Sequence, residues 1–341
     1  MRKKYSISVI IPAYNAERFI AETLQCVNGQ VRRPDEIVVV DDGSSDQTAR
    51  VVQAWAAENR PDLKRVEQEN RGASAARNTA IHHATGDLIA TVDADDAVLP
   101  NHLEVLESGF HQRPDLVLCF ADAQSYDPST LDRESYLRGS RIAALECDVE
   151  PNGLRVIRGS AYPGIVGGSR IPTSATLYSR EAALEVGLYN EALPQANDVE
   201  FLLRLSRVGA FGYYPIIVER LRRHESNLTH RRHRVANRKF KVAAYEGLLA
   251  KARALRLTDD ERRLTMQARD ESVDAVLYNA SLQGAAAYFA QCCWACRRGY
   301  ATRVFSVVHF LRAVKHSLQK TMTNGQRGRI EVPTHDTAMP Q

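Results

Sequence analysis

The amino-acid order predicts an α/β protein whose mostly parallel sheet is flanked by helices. Three observations carry this expectation. The runs "ISVII" (7–11), "EIVVV" (36–40), "LIATV" (88–92) and "LVLCF" (116–120) are apolar almost throughout, as strands covered on both faces must be. Segments of helical periodicity alternate with them, the arrangement that builds parallel sheets. Polar clusters at 12–15, 41–48 and 93–96 each follow a strand at its carboxyl end, where open parallel sheets place their ligands.

The elements follow in order. After the first strand, Ile20, Leu24 and Val27 share one helical face, and "VNGQ" ends that helix. "DDGSSDQT" opens a second helix with Ala49, Val52 and Trp55 on its apolar side, and Ser44 or Ser45 is the expected N-cap. "LKRVE" (63–67) is a weaker strand, and "NRGASAARNTAIHHATG" reads as a small-residue helix stopped by Gly86. A helix near 101–110 leads to "LVLCF". Residues 121–172 are Gly-, Pro- and Ser-rich, and "RGSAYPGIVGGSRIP" is a candidate mobile flap. "TSATLYS" (173–179) is a strand and "REAALEVG" a short helix. "NDVEFLLRLSRVG" (197–209) is a helix burying Phe201, Leu202 and Leu205, and "FGYYPIIV" is a last strand. From about 235 to 320 the chain is helical, and "TNGQRGRIEVPTHDTAMPQ" has the composition of a disordered tail. No internal repeat is present.

The net charge of +4 over 341 residues conceals two unlike halves. From Arg222 onward there are 22 Lys/Arg against 10 Asp/Glu, whereas the first 221 residues carry 23 against 31. Such asymmetry points to two units with different tasks. The basic residues lack interleaved aromatics, which argues against a nucleic-acid module. Six scattered cysteines imply no disulfide framework, in keeping with a reducing compartment. The "CCWAC" cluster lacks the second pair that a zinc site needs, so these are expected to be buried helix cysteines. The apolar stretch before Pro12 is shorter than a signal-peptide core, and no run approaches the ~20 apolar residues of a spanning helix.

The chemistry concentrates at "VDADD". Asp93, Asp95 and Asp96 repel one another at the end of a buried strand, and Asp disfavours strands. Either the segment is a solvated turn, or a divalent cation neutralises it. Mg²⁺ is commonly held by one or two carboxylates plus substrate phosphates. Alternate residues of an extended chain point to opposite sides, so the backbone must turn at Ala94 if Asp93 and Asp95 are to face one ligand. "SVIIPAYN" supplies a proline, an aromatic ring and an amide as a wall for a flat base. "VVVDDGSSDQT" adds carboxylates able to accept from a base or a ribose. "NRGASAARNTAI" brings Arg71, Arg77 and a helix N-terminus, all suited to an anion.

These blocks, together with "VGLYNEALPQANDVEFLLRLSRVG", resemble the inverting family 2 glycosyltransferases of the GT-A fold, in order, over roughly residues 6–230. The resemblance implies a GT-A nucleotide-sugar-binding and catalytic domain at 1–230, a helical region at 231–322 and a tail at 323–341. It implies that Pro12, Ala13, Tyr14 and Asn15 line the nucleoside, that Asp42 holds the base, and that Arg77, Asp93 and Ala94 face the nucleotide. Asp95 would ligate Mg²⁺ or Mn²⁺, with His224 of "RLRRHESNLTHRRHR" folding over the donor diphosphate. Asp96 is a helper without an assigned role. The catalytic base matches Asp198, although Asn197 stands where the family carries an acidic residue.

The implied activity moves a sugar from a UDP-, dTDP- or GDP-linked donor to the hydroxyl of a glycan or lipid-linked acceptor, in cell-surface polysaccharide or glycolipid synthesis. A nucleotidyltransferase and a non-catalytic binding protein on the same fold are the alternatives. The expected location is the cytoplasm. "RVFSVVHFLRAVKHSLQK" (303–320), with Val304, Val307, Val308, Leu311, Val314 and Leu318 in one stripe, reads first as core packing. Peripheral contact with the inner face of a membrane is its second reading.

Overall fold

The computed structural model describes residues 5–126, 135–222, 233–304 and 307–327. They fall into two compact units, one drawn from 1–230 and 240–269, the other from 231–239 and 270–341.

The first unit is built on a ten-stranded sheet. Strands β1 (Ile7–Ala13), β2 (Glu36–Asp41), β3 (Lys64–Glu67) and β4 (Leu88–Thr91) run parallel in the order β3-β2-β1-β4. Period-2 alternation splits β1 between two cores. Ile10 packs with Val38, Val40 and Ile89 on one face, while Ile7, Val9 and Ile11 pack with Ile37 and Val39 on the other. Helices α1 (Ile20–Asn28), α2 (Thr48–Asn59) and α3 (Ala73–His83) connect these strands. β5 (Ala97–Val98), α4 (His102–Gln112) and β6 (Leu116–Tyr126) follow, then β7 (Cys147–Val149) and β8 (Arg155–Ile157).

The alternation of strand and helix signals does not carry through the second half. β9 (Thr176–Ser179) is inserted antiparallel between β4 and β6. The described residues before β9 are irregular and include no full crossover helix, the element that a parallel return calls for. β10 (Ala210–Arg222) restores the direction beside β6, with β5 and β8 antiparallel to it. The segment expected to be a flap is instead core. Its short helix α5 (Tyr162–Ile165) buries Tyr162 and Ile165 completely, and the Tyr162 hydroxyl lies 2.7 Å from that of Thr265.

Helices α6 (Arg180–Glu185) and α7 (Asn197–Leu205) cover the sheet. α7 buries Phe201, Leu202 and Leu205 as expected, and Phe201 stacks on Tyr189 at 4.2 Å. Beyond them come α8 (Arg234–Ala250), α9 (Asp259–Ser281), α10 (Ala285–Arg297) and α11 (Val307–Arg327). Tyr245 and Leu248 of α8 and Ala268 of α9 join the core of the first unit. In that unit buried Glu261 accepts from Ser160 at 2.8 Å and from Arg207 at 2.6 Å. Among the described residues no helix is long and apolar enough to cross a membrane.

Candidate active site

The carboxyl ends of β2, β1 and β4 emerge side by side, with Ala13 paired to Asp41 and the Val92 amide bonded to the Ile10 carbonyl at 3.0 Å. Three loops meet there. After β1 the chain exposes Tyr14, and Asn15 adopts a left-handed φ of 49°, which Asn tolerates better than most residues. Asn15 is committed to its neighbours. Its Oδ1 accepts from the Ser45 amide at 2.9 Å, and its own amide donates to Ser44 Oγ at 2.9 Å. Ser44 and Ser45 therefore join loops and do not cap α2 as the sequence had suggested. Asp46 serves the start of α2 instead, accepting from the Thr48 amide at 2.9 Å.

Asp42 is buried and takes three donors from the loop before α3: Gln68 Nε2 at 2.7 Å, the Arg71 amide at 2.9 Å and the Gly72 amide at 2.8 Å. A carboxylate offers about four acceptor sites, so roughly one remains for a further donor. Gly43, at φ 73°, permits this approach; a Cβ there would lie 2.8 Å from the Asn70 backbone nitrogen. A cavity of about 320 Å³ opens beside the loop, lined by Asn70, Arg71, Gly72, Ser74, Glu191 and Pro194.

The two arginines offered as anion partners already have anionic partners. Exposed Arg71 pairs with Glu191 at 2.5 Å. Buried Arg77 donates to Asp93 Oδ1 at 2.7 Å and to Asn197 Oδ1 at 3.2 Å, and its guanidinium lies over the Tyr189 ring at 5.4 Å. Burial works against its charge, but Asp93, Tyr189 and Asp198 more than offset this and raise its pKa further.

The acidic segment turns where the chemistry requires it, the Asp96 amide donating to the Asp93 carbonyl at 3.1 Å. The Thr23 hydroxyl lies 2.9 Å from the carbonyls of both Ala94 and Asp96. Ser174, fully buried before β9, accepts from the Asp93 amide at 2.9 Å and donates to Asp96 Oδ2 at 2.7 Å. Its carbonyl accepts from His102 Nε2 at 2.9 Å; burial lowers the His102 pKa to about 4, so the ring is neutral.

Asp96 faces inward, toward Glu219 of β10, which is completely buried. Neither Glu219 oxygen meets an N–H or O–H among the described residues. Two buried carboxyl groups bond only if one keeps its proton. Burial and then Asp96 push Glu219 far up, whereas burial followed by Asp93 and Asp95 brings Asp96 to about 7, so Glu219 keeps the proton. Arg222, closing β10, donates Nε to the Asp95 carbonyl at 3.2 Å and its amide to Asp96 Oδ1 at 3.3 Å. Sequence reasoning missed Glu219, whose one signal is that it is the lone acid of a largely apolar strand. Ser174 and His102 gave no such signal.

Asp198 is half-buried in the first turn of α7. Ala196 precedes that helix at a left-handed φ of 60°. Asn197 uses both ends of its amide, accepting from Arg77 and donating to the Leu193 carbonyl at 3.3 Å. Arg77 thus joins the acidic turn to the residue before Asp198. His224 lies outside the described residues. Among those described, no three His, Cys, Asp or Glu side chains converge as a metal cage. The turn instead offers hard carboxylate oxygens, which suit Mg²⁺ or Mn²⁺ when a diphosphate completes the set.

Residues 8–159 match Glycosyl transferase family 2. The Escherichia coli (strain K12) protein described as the uncharacterized glycosyltransferase YibD is 37% identical over 123 residues, 36% of each chain. The chain spans little more than a third of that relative. Among solved structures, S. aureus TarS 1-349 in complex with UDP-GlcNAc gives a TM-score of 0.55 at 16% identity, over 96% of this chain and 95% of that one. Mannosyltransferase PcManGT from Pyrobaculum calidifontis, in complex with GDP-Man and Mn2+, gives 0.51 at 19% identity, over 93% and 88%. At these identities the likeness concerns the fold. The motif blocks and the matched segment 8–159 make this part of the chain similar to glycosyltransferase family 2, and the shared architecture is that of the GT-A fold.

Proposed function

We propose that the chain is an inverting glycosyltransferase that moves a sugar from a nucleotide-diphospho-sugar to an acceptor hydroxyl. The observation that supports this best is the single buried guanidinium of Arg77, reaching both Asp93 and Asn197. It ties the donor-side turn to the residue beside the candidate base. The nucleoside lies against Pro12, Ala13 and Tyr14, with the remaining acceptor site of Asp42 directed to its base. Asn15 shapes that wall by holding two loops together. Asp93 and Ala94 border the ribose.

Asp198 takes the acceptor proton on a carboxylate oxygen as the acceptor oxygen bonds to the anomeric carbon. The bond from that carbon to the diphosphate oxygen breaks, and its electron pair leaves with the nucleotide diphosphate. Attack from the face opposite the leaving group inverts the centre. A general base of this kind is worth roughly 10²–10⁴-fold. Asp95, with His224 on the segment after Arg222, would hold Mg²⁺ or Mn²⁺, which when bound stabilises charge on the diphosphate oxygens. UDP- and GDP-linked sugars are the first donors to test, since two neighbours of the same fold hold UDP-GlcNAc and GDP-Man. The acceptor is a hydroxyl of a glycan or of a lipid-linked saccharide, used on the cytoplasmic side of a membrane.

Incubation with nucleotide sugars and Mn²⁺ tests the reading through release of nucleotide diphosphate. Asp198→Asn should abolish transfer while the folded protein still binds donor nucleotide. Transfer at the wild-type rate would remove Asp198 from the mechanism. Release of pyrophosphate would point to a nucleotidyltransferase. That class calls for a Gly-rich, Lys/Arg-bearing loop after the first strand, and "PAYNAERF" is not one.

A further inference from the structure

The second unit presents apolar side chains to solvent on two neighbouring helices. The exposed positions of α10 include Ala286, Phe289, Ala290, Cys293 and Cys296, spaced as one helical face. Cys293 and Cys296 are therefore exposed, not buried as their helix alone had suggested. On α11, Val308 is 63% exposed, Leu311 60% and Phe310 41%. Phe289, itself 52% exposed, meets Phe310 edge to face at 6.0 Å, so the apolar surfaces of the two helices are continuous. This is not the packed face, for Tyr288, Ala295 and Ala313 turn inward. The stripe read from the sequence as core is in part a surface.

Charge decides what covers it. Residues 275–330 contain eight Lys/Arg and no Asp or Glu. Arg303 is neutralised by Asp270 at 2.8 Å and Asp274 at 2.7 Å, the latter being the last carboxylate before this stretch. Arg297, Arg298 and Lys315 are exposed. A second copy would bring the same positive face against itself, which like-charge repulsion opposes. A nucleic acid would match the charge but gain little from outward Val308 and Leu311, which offer no stacking plane. An anionic bilayer answers both features: the headgroup boundary accepts Phe, Leu and Val, and the surface potential attracts Lys and Arg.

We propose that the outward face of α10 and α11 binds the surface of a membrane rich in anionic lipid, with Phe289, Val308, Phe310 and Leu311 entering the headgroup boundary.

The test uses the full chain and sedimentation with vesicles of phosphatidylcholine, alone or mixed with phosphatidylglycerol, over a range of salt. Binding is expected on the mixed vesicles and should weaken as salt rises. The double substitution Val308→Asn with Leu311→Asn should lower partitioning by at least about tenfold at every salt concentration, since each side chain buries enough apolar surface for such a change. Lys315→Glu should lower it on the anionic vesicles alone. Unchanged thermal unfolding would show both variants folded, as expected for exposed positions. The proposal is overturned if the folded wild-type chain binds neither vesicle. It is also overturned by equal, salt-independent binding to both vesicles. A lipid-free dimer that the double substitution dissolves would assign the face to a second copy.

Discussion

Replacing Arg77 by Met separates the two ends of the site, and its cost can be worked from the geometry. The guanidinium and Asp93 lie 2.7 Å apart, with side chains 8% and 33% exposed. At the effective dielectric of such sites a pair of charges in contact is worth about 4 kcal/mol. Against that, the Arg77 Nε–H is buried without an acceptor among the described residues, a penalty of about 1–3 kcal/mol that Met removes. Asp93, one-third exposed, also regains water. The net loss is about 2 kcal/mol, enough to lower the melting temperature by roughly 4–8 °C while leaving the protein folded at 25 °C. The same 2 kcal/mol, lost from the alignment of Asp93 with Asn197, predicts kcat lower by about 30-fold. Arg77→Lys should recover only part of this, because one ammonium does not reproduce a planar fork reaching two acceptors. The assay is nucleotide diphosphate release under saturating donor, with melting followed in parallel. A folded Met variant whose kcat stays within about twofold of wild type would refute the bridging role.

Two further outcomes follow from named contacts. Asn197→Asp places a second carboxylate beside Asp198 and removes the donor to the Leu193 carbonyl. Like charge favours protonation of the base, so the acid limb of the pH–rate profile should move to higher pH, with about 1–3 kcal/mol of stability lost; an unmoved limb would mean that position 197 does not influence the base. Burial alone would raise Glu36, but Lys64, Ser8 and Thr85 outweigh it and bring its pKa from 4.5 to about 2. A lowered folded-state value stabilises the fold above the unfolded pKa. The roughly 2–3 kcal/mol separating wild type from Glu36→Gln should therefore be present above about pH 4.5 and vanish as pH falls toward 2, as denaturant unfolding at several pH values will report.

Local patterning made the first half of the chain legible. Each apolar run became a strand, and the clusters at Tyr14–Asn15, Asp41–Asp42 and Asp93–Asp96 met at adjacent carboxyl ends because parallel neighbours leave no alternative. What local pattern does not encode is partnership at long range. Asp42 looks like a ligand group in the sequence, yet three donors from 68–72 hold it. Arg77 looks like a phosphate contact, and its actual partners are Asp93, close in sequence, and Asn197, 120 residues away. The antiparallel insertion of β9 depends on how an irregular segment returns to the sheet, on which its own residues are silent. The periodicity of α10 and α11 is real, but periodicity states only that a helix has an apolar side, not whether protein or solvent faces it.

The carboxyl pair of Asp96 and Glu219 explains how an acidic turn is fixed in place. A charged Glu219 without N–H partners in the interior would cost several kcal/mol, whereas keeping its proton and donating it to Asp96 leaves Asp96 to carry the one charge. That bond fastens the turn to β10, and three residues later Arg222 binds the turn's backbone from the same strand. Arg77 holds Asp93 from α3 on the opposite side. The position of Asp95 is thus determined by elements from both halves of the sheet before any ligand arrives, which is the preorganisation a precise site requires. On the proposed reading a cation at this turn is held by Asp95 and His224 together with oxygens of the donor diphosphate. Cation and donor then each raise the affinity for the other, and by thermodynamic linkage they do so by the same factor.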